Sequence, residues 1–263
     1  MLTFFLIYLL CGAVIGITAG LFGIGGGVIG IPVLLFLFNL QGMPDALSMH
    51  MAIGTMLSTV IVTTIVASYT HYLKGTINFS VFKKFILGAM IGSVIGITLS
   101  KHMNGIYLQK IFAIFLAIIA LHMFLKIEVE PHQNFPGRSA MFIASIIFGI
   151  LSGMLGLGGG VFMIPYFNWC GMSIRQSIAT ATACIWPVAL IGSVGYMYSN
   201  VQLTTMPAWN SGFVYWPAFI GVSLTSMLCA PLGIRLAHRI STGLLKKSFA
   251  LLLMGISVSL LVR

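Results

Sequence analysis

The chain has 263 residues, of which 59% are hydrophobic and 6% charged, with 13 Lys and Arg against three acids. A soluble domain carries roughly a quarter charged residues, so this balance excludes one and points to a protein that crosses a membrane several times. The acids, Asp45, Glu128 and Glu130, all lie outside the middles of the apolar runs. That placement argues against a cation pathway built on buried carboxylates. The basic residues are scattered between apolar spans, as in cytoplasmic loops, and are not clustered for nucleic acid.

In chain order, the first apolar segment covers roughly 3–22 and has neither the basic n-region nor the cleavage site of a signal peptide, so it is read as the first mature segment. A glycine run interrupts it, in ITAGLFGIGGGVIGIPVL (17–34), and a short segment follows at roughly 27–39. Longer segments come next, at about 50–72, 80–100 and 106–126. The hydrophilic stretch KIEVEPHQNFPGRS (126–139) then intervenes, and five more segments follow at about 139–155, 160–170, 178–199, 213–232 and 243–262.

The second set repeats the first. Residues 16–32 match 149–165 at ten of seventeen positions, and 96–113 match 233–250 at seven of eighteen. The expected organisation is a first membrane repeat at 1–126, a linker at 127–138 and a second repeat at 139–263. The second segment of each repeat, about thirteen residues at about 1.5 Å each, is too short for a hydrocarbon core of about 30 Å. If the first two segments form a hairpin that returns to its starting side, ten basic residues share one side and three the other; a single crossing gives seven against six. The excess of basic residues on cytoplasmic loops favours the hairpin. Each repeat then makes an odd number of crossings, so the two have opposite orientations and both termini face outward. The fold expected is an all-α polytopic membrane protein of two inverted repeats, each a glycine-rich broken-helix hairpin plus three transmembrane helices.

Irregular backbone at membrane depth has to be buried in protein or line a cavity. Each glycine tip leads into a short helix whose first N–H groups are unpaired and carry partial positive charge. Glycines let an anion approach those groups closely. The substrate-binding set read from this is Gly23, Gly25, Gly26, Gly27 and Val28 with Gly156, Gly158, Gly159, Gly160 and Val161; Pro32 and Pro165 shape the helices behind them. Close helix packing is the rival reading of the glycines, a role that Gly12, Gly16 and Gly20 fit. Gly25, Gly27 and Gly30 also spell a dinucleotide fingerprint, but Met163 replaces its last glycine in the second copy and no βαβ pattern surrounds either. Thr55 and Thr182 occupy matched positions and could either face the tips or bond their own helices. Arg175 could steer an anion or serve topology, and His50 is the candidate for proton coupling. Cys11, Cys170, Cys184 and Cys229 have no metal-ligand spacing, and no nucleophile–base set is visible. No cofactor, metal or catalytic residue is therefore expected. The expected partners are a small anionic substrate and membrane lipid, with a proton as candidate coupling ion and no nucleic acid; the sequence sets no oligomeric state.

The doubled pattern AGLFGIGGGVIGIPVL and SGMLGLGGGVFMIP, the AIGTM motif (52–56) and the two apolar endings resemble the TauE/SafE family, the sulfite exporter permeases, over essentially the whole chain. The resemblance implies transport of a small anion, often sulfur-containing (sulfite, thiosulfate or an organosulfonate), across the bacterial cytoplasmic membrane. The family's glycine pattern falls on Gly23, Gly25 to Gly27 and Pro32, and on Gly156, Gly158 to Gly160 and Pro165. The second copy of the family's threonine motif is altered here to Ala181-Thr182-Ala183. Alternating access by two rocking halves is the expected mechanism. The alternatives are a passive anion channel and a transporter of a non-sulfur organic anion.

Overall fold

The computed structural model describes residues 2–22, 26–125, 136–199, 209–237 and 242–262. Among them the chain forms ten helices: α1 (Leu2–Phe22), α2 (Gly27–Leu40), α3 (Asp45–Leu73), α4 (Phe79–Lys101), α5 (Gly105–Phe124), α6 (Arg138–Leu155), α7 (Gly160–Trp169), α8 (Ile174–Met197), α9 (Trp216–Ala237) and α10 (Thr242–Val262). Seven of these, α1, α3, α4, α5, α6, α8 and α9, are long and apolar enough to cross a membrane by length and composition. The helices after the glycine runs are short, 14 residues for α2 and 10 for α7. The expected linker lies largely outside the described residues, and α6 begins on its last position.

Two departures from the expected elements have local causes. Helix α3 starts at Asp45, five residues earlier than the apolar run suggests, because Pro44 sets the entry and an acid in the first turn suits the helix dipole. The expected helical segment at 213–232 opens instead with a small antiparallel hairpin, β1 (Asn210–Ser211) and β2 (Val214–Tyr215). Its backbone is held by other elements: Phe213 N donates to Tyr196 O at 3.0 Å and Tyr215 N to Thr55 Oγ1 at 3.0 Å. Elsewhere the starts follow capping chemistry. Asn78, Asn104 and Ser173 accept first-turn N–H groups of α4, α5 and α8.

Contact register fixes helix direction. Ser58 Oγ meets Ser193 Oγ at 2.6 Å and Ser68 Oγ donates to Thr182 O at 3.1 Å, so α3 and α8 run antiparallel. Gln109 Nε2 donates to Leu260 O at 3.0 Å and Ser257 Oγ to Ala113 O at 2.7 Å, so α5 and α10 do the same. Helices α1 and α9 are parallel: Gly221 sits against Tyr8, Gly16 against Ser226 and Gly233 against Ile17. Helices α4 and α6 are also parallel, with Gly88 against Phe142, Gly92 against Ile146 and Gly96 against Ile150. Helix α2 doubles back beside α1, placing Phe38 against the Tyr8 ring at 6.4 Å, with Gln41 Nε2 donating to the Tyr8 hydroxyl. These directions gather Lys74, Lys83, Lys84, Arg138, Arg175, Arg235 and Lys247 at one end of the bundle, and Lys101 and Lys110 at the other.

The glycines of α1, α4, α6 and α9 bring backbone against backbone, the means by which helices pack in a solvent that gives no hydrophobic drive between them. Between these two seams lie α3 and α8, the most buried of the long helices. Around them Phe38, Phe85, Phe112, Phe167 and Phe249 fill the interior.

Candidate functional site: two glycine tips at the centre of the bundle

Helix α6 ends on Gly156 at φ 70°, whose N–H returns to Ser152 O at 2.9 Å. Gly158 and Gly159 follow at φ 69° and 86°, conformations that only glycine adopts without strain. Helix α7 then starts on Gly160, with Phe162 and Met163 both donating to Gly159 O. The N–H groups of Gly160 and Val161, the first two of α7, have no intrahelical acceptor, and Gly159 has no side chain to cap them. All of 155–160 is buried. This is irregular backbone enclosed by protein, as membrane depth demands.

The second tip threads between the two central helices. A methyl group at Gly158 would meet Ile185 of α8 at 2.9 Å and Val60 of α3 at 3.1 Å. The first tip reaches the same place. At Gly27 a methyl group would lie 2.9 Å from Gly156 O and 3.1 Å from the Leu157 Cα, so the two repeats' tips touch backbone to backbone. Gly26 precedes α2 beside Ile15 and Met56, and Val28 is buried behind it. Gly23 and Gly25 lie outside the described residues.

Pro32 and Pro165 are each the sixth residue of their short helix. Proline has no N–H, so the i−4 carbonyls, those of Val28 and Val161, lose their helical donors. Both short helices are therefore loosened one turn behind the tip, at matched positions.

The remaining residues singled out from the sequence are placed unevenly. Thr55 and Thr182 lie on the turns of α3 and α8 that the tips touch. Their hydroxyls are engaged elsewhere: Thr55 Oγ1 accepts Tyr215 N, and Thr182 Oγ1 donates to Ile178 O at 2.7 Å. Arg175 is exposed at the first turn of α8, about 15 Å along the helix from Ile185. His50 is buried toward the opposite end of α3, its Nε2 at 2.9 Å from Ser100 O and its ring stacked on Phe213 at 5.0 Å. Its Nδ1 has no partner among the described residues. Ser100 Oγ in turn meets the buried Tyr196 hydroxyl at 2.6 Å.

One residue at the tip went unread in the sequence. Ser152, in the last turn of α6, is buried with no hydrogen-bond partner for its Oγ among the described residues. That Oγ lies 3.4 Å from where a methyl group on Gly159 would be. The signal was present: within the matched stretches 16–32 and 149–165, Ser152 stands where the first copy has Ala19. A buried hydroxyl without a partner costs about 1–3 kcal/mol, so its retention beside uncapped N–H groups asks for a reason.

The site's setting has clear relatives. The profile of the sulfite exporter TauE/SafE family matches residues 8–260. The chain belongs to that family. It is 31% identical over 276 residues to a probable membrane transporter protein of Haemophilus influenzae, covering the whole of both chains. A probable membrane transporter protein of Methanocaldococcus jannaschii is 27% identical over 235 residues, 89% of this chain and 86% of the relative. A third, from Bacillus subtilis, is 28% identical over 246 residues, 90% and 92% of the two chains. No solved structure gives a significant match. This family member is thus a multi-pass membrane transporter.

Proposed function

We propose that the chain is a secondary transporter that moves a small anion, sulfur-containing in keeping with its family, across the bacterial cytoplasmic membrane by alternating access. The observation that carries this reading is the partnerless Ser152 hydroxyl beside the uncapped N-terminus of α7. A hydroxyl donor, unpaired N–H groups and the positive end of a helix dipole converge there, and each gains from an anion's negative oxygens. No carboxylate among the described residues lies near to repel one, since Asp45 stands at the end of the bundle where α3 begins. The binding set is Ser152 with the backbone of Gly156, Gly158, Gly159, Gly160 and Val161 on one side, and of Gly23, Gly25, Gly26, Gly27 and Val28 on the other. Thr55 and Thr182 back the two walls, Arg175 stands at one mouth, and His50 is the proton-coupling group.

An inverted repeat gives this site two exits. The antiparallel pairing of corresponding helices, α3 with α8 and α5 with α10, supports that symmetry. So does the exchange of partners in the seams, α1 with α9 and α4 with α6. A two-fold axis in the membrane plane generates all four relations. The bundle end rich in Lys and Arg is then cytoplasmic and both termini face outward. Touching tips describe a closed centre, and parting them toward either side opens one path at a time.

The test is saturable uptake into proteoliposomes of sulfite, thiosulfate, sulfoacetate, sulfate, acetate and chloride, with and without a proton gradient, beside Ser152→Ala. The expected result is saturable flux of one sulfur anion, with a half-saturation concentration raised in the variant. Unsaturable conductance of many anions would make the protein a channel. Kinetics in Ser152→Ala indistinguishable from the parent would remove the tip from substrate binding.

A further inference from the structure

Away from the tips, α4 and α6 leave near their starts a groove of about 410 Å³ lined by Lys84, Arg138, Ser139, Phe142 and Ile143. The two cations come from different helices, Lys84 from α4 in the first repeat and Arg138 from the linker's last position where α6 begins, and the exposed Phe142 and Ile143 continue the groove one turn deeper along α6. Below this level Gly88 closes the gap, its backbone against Phe142 and Ser145. The groove therefore presents positive charge and a hydroxyl toward the helix ends and an apolar wall beneath them. We infer that it binds the phosphate of an anionic lipid headgroup, with Lys84, Arg138 and Ser139 on the phosphate oxygens and Phe142 and Ile143 along the start of an acyl chain.

Two observations support the lipid. The order of polar and apolar lining residues follows the order of chemistry met on passing from headgroup to hydrocarbon. The chain also holds its own comparison: at the corresponding seam of α1 and α9, Lys84 and Arg138 align with Gly221 and Phe5. The same packing recurs there without the cations, so the pair is not required to join the helices. It marks one face of the membrane, the face rich in Lys and Arg, where basic pockets between helices meet anionic headgroups.

The experiment is native mass spectrometry of the delipidated full-length protein titrated with phosphatidylglycerol, phosphatidylcholine or inorganic phosphate. The double variant Lys84→Gln/Arg138→Gln is compared with Lys101→Gln/Lys110→Gln at the opposite end. Each basic group near an anionic headgroup contributes on the order of fivefold in affinity, so the first double variant should lose roughly 30-fold for phosphatidylglycerol and the second should lose nothing. Ile143→Ser should weaken phosphatidylglycerol while leaving the charge preference intact. Equal losses in both double variants, equal retention of phosphatidylcholine, or displacement of the lipid by inorganic phosphate at the same concentration would each overturn the inference.

Discussion

At the scale of single residues, Ser152 and Gly159 make separable predictions. Ser152→Ala removes a hydroxyl from a buried position where nothing else uses it, so folding should be unharmed. A hydrogen bond to a charged group contributes about 1.5–3 kcal/mol, so half-saturation for the transported anion should rise about 10- to 100-fold. Gly159→Ala acts differently. Met163 Cε, which the added methyl group would meet, is a flexible end that can turn aside, but the backbone sits at φ 86°, a conformation that strains any side chain, so the tip itself must shift and maximal rate should fall as well. Rate and half-saturation measured in proteoliposomes distinguish the two. His50→Gln keeps a donor toward Ser100 O while removing the titratable ring, so it should abolish stimulation by a proton gradient and leave gradient-free exchange intact. Equal stimulation in parent and variant would take the proton away from His50. At this scale the sequence was only partly legible. The glycines were readable because three in a row recur after 133 residues, whereas Ser152 was hidden by being an ordinary residue whose meaning comes from having no partner. The threonines were left open between the tips and their own helices, because a hydroxyl's matched position in sequence says nothing about which partner it will find; Thr182 bonds its own helix and Thr55 accepts Tyr215 N.

At the scale of elements, the informative feature is a matched weakness. Proline inside a helix costs about 3 kcal/mol, yet α2 and α7 each carry one at the same distance from the tip. Pro165→Ala gives position 165 an N–H for the Val161 carbonyl and stiffens the turn behind the tip. The protein should be at least as heat-stable in detergent while transport slows several-fold; faster transport would mean that the loosened turn is no hinge. The seams call for the opposite outcome. At Gly92 a side chain would press on the Ile146 carbonyl, and overpacking of this kind costs about 1–3 kcal/mol, so Gly92→Ala should lower the thermal midpoint by several degrees. Helix boundaries were largely legible, because apolar length and turn residues mark them. The hairpin at 210–215 was not, since its turn at Phe213 and its second strand at Tyr215 are held by bonds to Tyr196 and Thr55, in other parts of the chain.

At the scale of the molecule, sidedness is the sharpest prediction. Cysteine substitutions at Lys74 and Arg175 should be labelled by an impermeant reagent from the cytoplasmic side and one at Lys101 from the outside; labelling of Lys74 and Arg175 from opposite faces would remove the inverted repeat. That the protein is a duplicated membrane chain was plain from composition and the repeated glycine pattern, but which helices pair was not, because glycine spacing marks a packing face without naming what lies against it. The structure answers that α1 packs along α9 and α4 along α6. Each seam joins a helix from before the linker to one from after it. This has a consequence for how the protein is made. Helix α1 leaves the ribosome first, yet the groove that receives Gly12 and Gly16 is not synthesised until α9 emerges some two hundred residues later. Until then the packing face of α1 stays uncovered in the lipid, so birth order and final neighbourhood are decoupled.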